Sequence, residues 1–192
     1  MAEAAPNIAQ APPDAANAGR HDLPAWLVSD LRSDHAGEMG AVMIYRGILA
    51  VSRQPEVIRF AQHHLATEQL HLEQISALIG RRQRTRLLPL WRVMGWLTGA
   101  LPALFGAASV FATIDAVETF VDRHYQEQIS RLDPEGRFAT IRKVLVSCQA
   151  DEVAHRDEAR QLAPRRRGAL LGLWGIIVAG GSAAAVWAAR RI

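Results

Sequence analysis

Four glutamates stand in the middle of what would otherwise be the apolar stripes of four amphipathic helices, and no feature of this 192-residue sequence restricts its fold more. Leu31, Asp34, Glu38, Val42, Tyr45 and Leu49 recur at three and four residues within a helix predicted over residues 24–52. Pro55, which has no amide hydrogen to lose in a first turn, opens a second helix carrying Ile58, Ala61, Leu65, Glu68, Leu72, Ile75 and Ile79, with Gly80 as its stop. A third carries Phe111, Ile114, Glu118, Val121, Tyr125 and Ile129. The Asp133-Pro134 pair reads as an N-cap and first-turn proline for a fourth, which carries Ile141, Leu145, Cys148, Glu152, His155, Ala159 and Leu162 and ends at Pro164. Strand patterning is almost absent, so the fold class is all-α.

A buried, unpaired carboxylate costs several kcal/mol, so four of them in one core require cations between them, and metal is the simplest compensation. Two of the four begin a Glu-x-x-His sequence, Glu68 to His71 and Glu152 to His155. That spacing sets carboxylate and imidazole on one helix face a turn apart, within reach of one ion. The chain thus reads glutamate, Glu-x-x-His, glutamate, Glu-x-x-His, as two helical hairpins related by approximate two-fold symmetry. It is the ligand arrangement of the ferritin-like di-iron and di-manganese bundles. Carboxylates and imidazoles suit iron or manganese and do not suit copper(I). The single cysteine, Cys148, excludes an internal disulfide, a thiolate metal site and a CxxC redox pair.

Of the other polar residues near these stripes, His35 and His124 are candidate donors behind the ligands. Asp151 is a candidate to orient a ligand histidine through its second nitrogen. Asp34 and Asp115 are weaker candidates, Tyr125 is a candidate beside the site, and Tyr45 reads as core. His21, His63 and His64 lie off the inward stripe and read as solvated.

The net charge is +3, and the pI of about 9.7 suggests nucleic acid until the charges are located. Ten arginines (Arg81, Arg82, Arg84, Arg86, Arg92, Arg165, Arg166, Arg167, Arg190, Arg191) flank two charge-free stretches at residues 93–114 and 168–189, and without them the balance is acidic. Arginine beside apolar surface suits an anionic lipid surface, at about 1 kcal/mol per residue, and argues against nucleic acid. Each stretch has 22 residues, enough to span as a helix of about 33 Å. The first holds Pro102 and three glycines and must deliver Glu118 to the bundle, so it reads as interfacial or re-entrant; the second is the better candidate to span. Packing of both as ordinary core is the alternative. Residues 1–24 read as a disordered lead-in without signal-peptide or Arg-rich transit character, which fits a bacterial cytoplasmic origin.

The segment Asp34-His35-Ala36-Gly37-Glu38-Met39-Gly40-Ala41, the Glu68 to His71 pair, Glu118 followed by His124-Tyr125, and Asp151-Glu152-Val153-Ala154-His155-Arg156-Asp157 resemble the Coq7 demethoxyubiquinone hydroxylase family over about residues 25–190. The resemblance implies a ferritin-like four-helix bundle, over residues 25–192, with two additional apolar membrane-associated helices at 88–108 and 168–190. It implies two iron ions per chain held by Glu38, Glu68, His71, Glu118, Glu152 and His155, with Glu68 and Glu152 as bridges. The implied activity is O2-dependent hydroxylation of the ring of a polyprenylated demethoxy-benzoquinol in ubiquinone biosynthesis, with NADH or the quinol itself as reductant. The implied location is the cytoplasmic side of a bacterial inner membrane, peripheral or monotopic, with other ubiquinone-biosynthesis proteins and further copies of the chain (a homo-oligomer) as candidate partners. A quinol oxidase of the alternative-oxidase kind and a ferritin-like iron-oxidising or storage protein are the competing readings.

Overall fold

The computed structural model describes residues 23–163 and 168–192, and the described residues are all-helical, without strands. Six α-helices follow in order: α1 (Ala25–Val51), α2 (Pro55–Leu78), α3 (Leu88–Leu104), α4 (Ala107–Ile129), α5 (Ala139–Leu162) and α6 (Ala169–Ala189), with a short 3-10 turn at Arg81–Gln83 between α2 and α3. The lead-in through residue 22 with His21, the expected stop at Pro164, and Arg165, Arg166 and Arg167 lie outside the described residues.

Each of the four striped helices passes through two apolar clusters with its glutamate between them. At one end Leu27, Leu31, Ile75, Ile79, Ile129, Ile141 and Leu145 pack together. At the other, Ile44, Ile48, Val57, Phe60, Val110, Phe111, Ile114 and Ala159 do so. The order in which each helix meets these clusters makes α1 and α5 run one way and α2 and α4 the other. α3 is the crossover that brings the chain back along the bundle. Burying these side chains supplies the main drive for closure, and it leaves the acidic residues at mid-height, sealed above and below.

The crossover lies unusually close to α1. A Cβ on Gly99 would stand 1.9 Å from the Ile44 carbonyl oxygen, one on Gly47 2.2 Å from that of Trp96, and one on Gly95 2.5 Å from that of Gly40. Gly95 and Gly99 form a Gly-x-x-x-Gly edge that lets two helix backbones touch.

Two expectations require correction. Residues 93–114 are not one interfacial segment: the helix ends at Leu104, the chain turns at Gly106 with φ +94°, and α4 begins at Ala107, whose N–H donates to Gln54 Oε1 at 3.0 Å. Val110, Phe111 and Ile114 are charge-free because they are bundle core. Nor does Asp133-Pro134 open the fourth helix. Asp133 Oδ1 accepts the Glu135 N–H (2.9 Å) in a local turn, and α5 starts at Ala139.

α6 is the one helix among the described residues long and apolar enough to cross a membrane, by length and composition. It is tied to the bundle at both ends. Near its start Trp174 Nε1 donates to Thr113 Oγ1 (2.7 Å). At its finish Arg190 pairs with Asp30 (3.0 Å) and its carbonyl accepts from Ser29 Oγ (2.9 Å). The outer faces of α3 and α6 carry exposed apolar side chains, among them Val93, Met94, Leu104, Phe105, Leu170, Ile176 and Trp187.

Candidate metal centre

Helical phase alone brings the six sequence-selected residues together. Glu38, Glu68, Glu118 and Glu152 project from α1, α2, α4 and α5 at the same height and are at most 3% exposed, and His71 and His155 are equally buried. Two sets of donor atoms result: Glu38, Glu68, His71 and Glu152 in one, and Glu68, Glu118, Glu152 and His155 in the other, each with its atoms within 4.8 Å of one another. Glu68 and Glu152 belong to both.

The polar atoms within this core outnumber the hydrogen bonds. His71 Nδ1 lies 3.0 Å from Glu152 Oε1 and His155 Nδ1 lies 3.1 Å from Glu68 Oε1, yet Glu38 Oε2, both Glu68 oxygens, Glu152 Oε2 and His155 Nδ1 make no aligned hydrogen bond. Orphaned carboxylate oxygens at this depth are costly in an apolar core, and the donor set fits hard or borderline divalent ions such as iron and manganese. Burial and the neighbouring Glu152 charge push the Glu38 carboxyl up to about 7, and the same causes hold Glu68 and Glu118 well above the carboxylate range. Glu152 is held low although buried, because both histidines face it. Burial pulls His71 down, but the hydrogen bond to Glu152 and the charges of Glu38 and Glu152 outweigh it and lift it to about 10.

Around the six, the expected supporting residues divide. Asp151 Oδ2 accepts from His71 Nε2 at 3.1 Å. The aspartate beside Glu152 thus orients the histidine of the facing helix. Tyr125 donates to Glu38 Oε1, and Tyr45, a core residue as expected, has its hydroxyl 3.5 Å from Glu118 Oε1. Each tyrosine follows the glutamate of its own helix by seven residues and reaches the glutamate of the other half, a repeat that the sequence contained. His124 Nε2 donates to Asp34 Oδ1 (2.9 Å), which also accepts from Gln128 Nε2 (2.6 Å). Asp115 instead pairs with Arg160 (2.6 Å), and His35 lines a separate cavity.

His63 is exposed as expected, but His64 is buried, 2% exposed. Its Nε2 bonds Glu158 Oε2 (2.9 Å) and its ring meets the edge of His155 at 4.0 Å between centroids. Sequence reasoning drew the inward stripe too narrowly: His64 is one turn before Glu68, on the same face.

A second cavity, of about 620 Å³, leads outward from Glu38, Glu118 and Glu152 between α1, α4 and the two additional helices; Gly40, Ala41, Leu97, Trp174, Gly181 and Ala185 are among its mostly apolar lining residues.

Fold and site together define an all-helical protein built around a buried carboxylate and histidine cluster that opens to an apolar channel. Within that class the chain belongs to the COQ7 family of ubiquinone biosynthesis proteins, whose model matches residues 25–189. It is 37% identical over 173 residues to a Rhodospirillum rubrum protein named 3-demethoxyubiquinol 3-hydroxylase, covering 88% of this chain and 80% of that one. It is 34% identical over 170 residues to the mouse protein named NADPH-dependent 3-demethoxyubiquinone 3-hydroxylase, mitochondrial, covering 84% and 76%. To the Saccharomyces cerevisiae protein named 5-demethoxyubiquinone hydroxylase, mitochondrial, it is 30% identical over 152 residues, covering 70% and 65%.

Proposed function

We propose that residues 25–192 form a ferritin-like di-iron monooxygenase that hydroxylates the ring of a polyprenylated demethoxy-benzoquinol at a membrane surface. The observation that carries this reading is the apolar channel ending on Glu38, Glu118 and Glu152. A lipid-soluble quinol needs an apolar approach, and this donor set suits iron. The names of the relatives give the same substrate class.

Glu38, Glu68, His71 and Glu152 would hold one ion and Glu68, Glu118, Glu152 and His155 the other, Glu68 and Glu152 being common to both sets. Bound iron supplies the electron transfer that activates O2. The reaction replaces a ring C–H by C–OH with one oxygen atom. The other leaves as water, taking two electrons and one proton from a reductant that we assign as a reduced nicotinamide nucleotide, the class in the mouse relative's name, and a second proton from solvent. The protein's own part is orientation and exclusion. Asp151 fixes the tautomer and plane of His71, His64 braces His155, and Tyr125 holds Glu38. The channel walls align the ring and keep bulk water away.

The two ties on α6 hold it along the bundle, so it lies in the plane of the interface, and with α3 it presents apolar side chains to lipid. On this reading the enzyme is monotopic, on the cytoplasmic face of a bacterial inner membrane. The decisive test is complementation of a strain blocked at the demethoxy stage of ubiquinone synthesis. The wild-type chain should restore hydroxylated product and Glu38→Ala and His155→Ala should not. Quinol oxidised to quinone with no oxygen added to the ring would replace this reading with a quinol oxidase.

A further inference from the structure

A separate cavity, of about 580 Å³, opens between α1, α2, the 3-10 turn and the start of α3, lined by His35, Met39, Ser76, Arg84, Leu88 and Arg92 among others. None of the six clustered residues lines it. His35 is 1% exposed, and its Nδ1 is buried without a hydrogen-bond partner. A buried ring nitrogen without a partner, beside a cavity and away from the clustered acids, marks a place for a ligand atom. Two guanidiniums share the cavity. Arg84 is half-buried, with Nη2 donating to the Ser76 carbonyl at 3.1 Å, and Arg92 stands at the exposed rim. Burial and the Arg84 charge hold the imidazole down at about 4, so at neutral pH it is uncharged and can offer one N–H.

One neutral donor at the back and two cationic forks in front suit a tetrahedral oxyanion, since guanidinium matches phosphate oxygens in planar, paired fashion. The position of the cavity indicates what carries the oxyanion. The helix that supplies Leu88 and Arg92 continues directly into exposed Val93 and Met94, and Leu90 beside them is exposed too. Arg81, Arg82 and Arg86 are exposed close by along the chain. Cations in a row beside apolar side chains reproduce the order of headgroup and acyl chain. We propose that this cavity seats the phosphate of an anionic phospholipid headgroup, fixing the depth and rotation at which the channel between α3 and α6 meets the bilayer. The proposal rests on the reading that these helices face lipid.

The test compares full-length, iron-loaded protein with His35→Leu, which removes the inner donor without changing charge, and His35→Asn, which restores an N–H near Nδ1. Flotation with phosphatidylcholine vesicles containing phosphatidylglycerol should be at least about tenfold weaker for His35→Leu, the loss expected for one hydrogen bond to a charged group, and near wild type for His35→Asn. Unchanged iron content and melting temperature show that the variants are folded. If wild-type protein binds the vesicles and both variants bind them equally well, the proposal is overturned, because diffuse attraction between arginines and lipid is indifferent to His35. Calorimetry with dihexanoyl-phosphatidylglycerol, a soluble monomer, tests the cavity without a membrane. Weaker binding by His35→Leu supports the seat even if wild-type protein ignores vesicles, a result that would count against the membrane-facing reading alone. Inorganic phosphate binding as tightly as the short-chain lipid would overturn the lipid assignment.

Discussion

Replacing Gly99 by alanine tests the contact that positions the channel wall. The new Cβ would stand 1.9 Å from the Ile44 carbonyl oxygen, 2.7 Å from its carbon and 3.0 Å from Cα, where ordinary contact begins at 3.4 Å. The obstacle is backbone in both helices, so no side chain can rotate away, and α3 must retreat from α1 by the missing 1.5 Å. Overpacking of this kind costs about 1–3 kcal/mol, and the absence of a flexible neighbour points to the upper end. Alanine returns about 1 kcal/mol of helix propensity, leaving about 2 kcal/mol of destabilisation, or about 4–8 °C in Tm for a chain of this size. Gly37 is the internal control. It lies in α1, where an added Cβ meets nothing within 4 Å, so Gly37→Ala should stabilise by about 0.5–1 kcal/mol. Thermal unfolding of the iron-loaded proteins in detergent, followed by circular dichroism, reads both. If Gly99→Ala were stabilised like Gly37→Ala, the close approach of α1 and α3 would be wrong, and with it the width of the channel.

Asp151→Asn should weaken iron affinity about 10–100-fold with the fold intact, because the carboxylate that orients His71 is lost; competition with a chelator measures it. Gly181→Leu, which projects into the apolar channel where a Cβ has open space, should depress turnover of a long-tailed quinol while leaving iron content unchanged. In the metal-free protein Glu38, at about 7, and the similarly raised Glu68 and Glu118 favour folding while protonated. The contribution of Glu38 is complete below about pH 4.5 and is lost as pH rises through 7. Denaturant midpoints of metal-free protein should therefore fall between pH 5 and 8. Iron affinity should rise over the same range, since binding displaces those protons.

The site was legible because its signal is periodic. A glutamate repeated at the inward position of four helices fixes both helix phase and site, and all six selected residues converge. Properties set by tertiary packing were less so. His64 shares a helix face with Glu68, so its burial follows from phase; only the fold shows its partners, Glu158 and His155 on α5. Composition does not distinguish an apolar residue on an outer face from one in a bundle core, so the charge-free run at 93–114 reads as one segment, whereas the chain breaks at Gly106 and buries Val110, Phe111 and Ile114 in the core. Asp133-Pro134 carried a strong capping pattern that a local turn uses instead. The crossed Tyr45 and Tyr125 contacts were available in the spacing of seven residues after each glutamate, but only the fold shows that each tyrosine serves the opposite half.

Whether the buried acids hold a pair of metal ions is read straight from the iron-to-protein ratio of the purified chain. After expression with added iron, wild-type protein should hold two irons per chain. Glu68→Ala, which removes a residue common to both sets of donors, should lose both together while remaining helical. Wild-type protein with neither iron nor manganese, or a Glu68→Ala variant that keeps its full complement, would rule out a two-ion centre built on these residues.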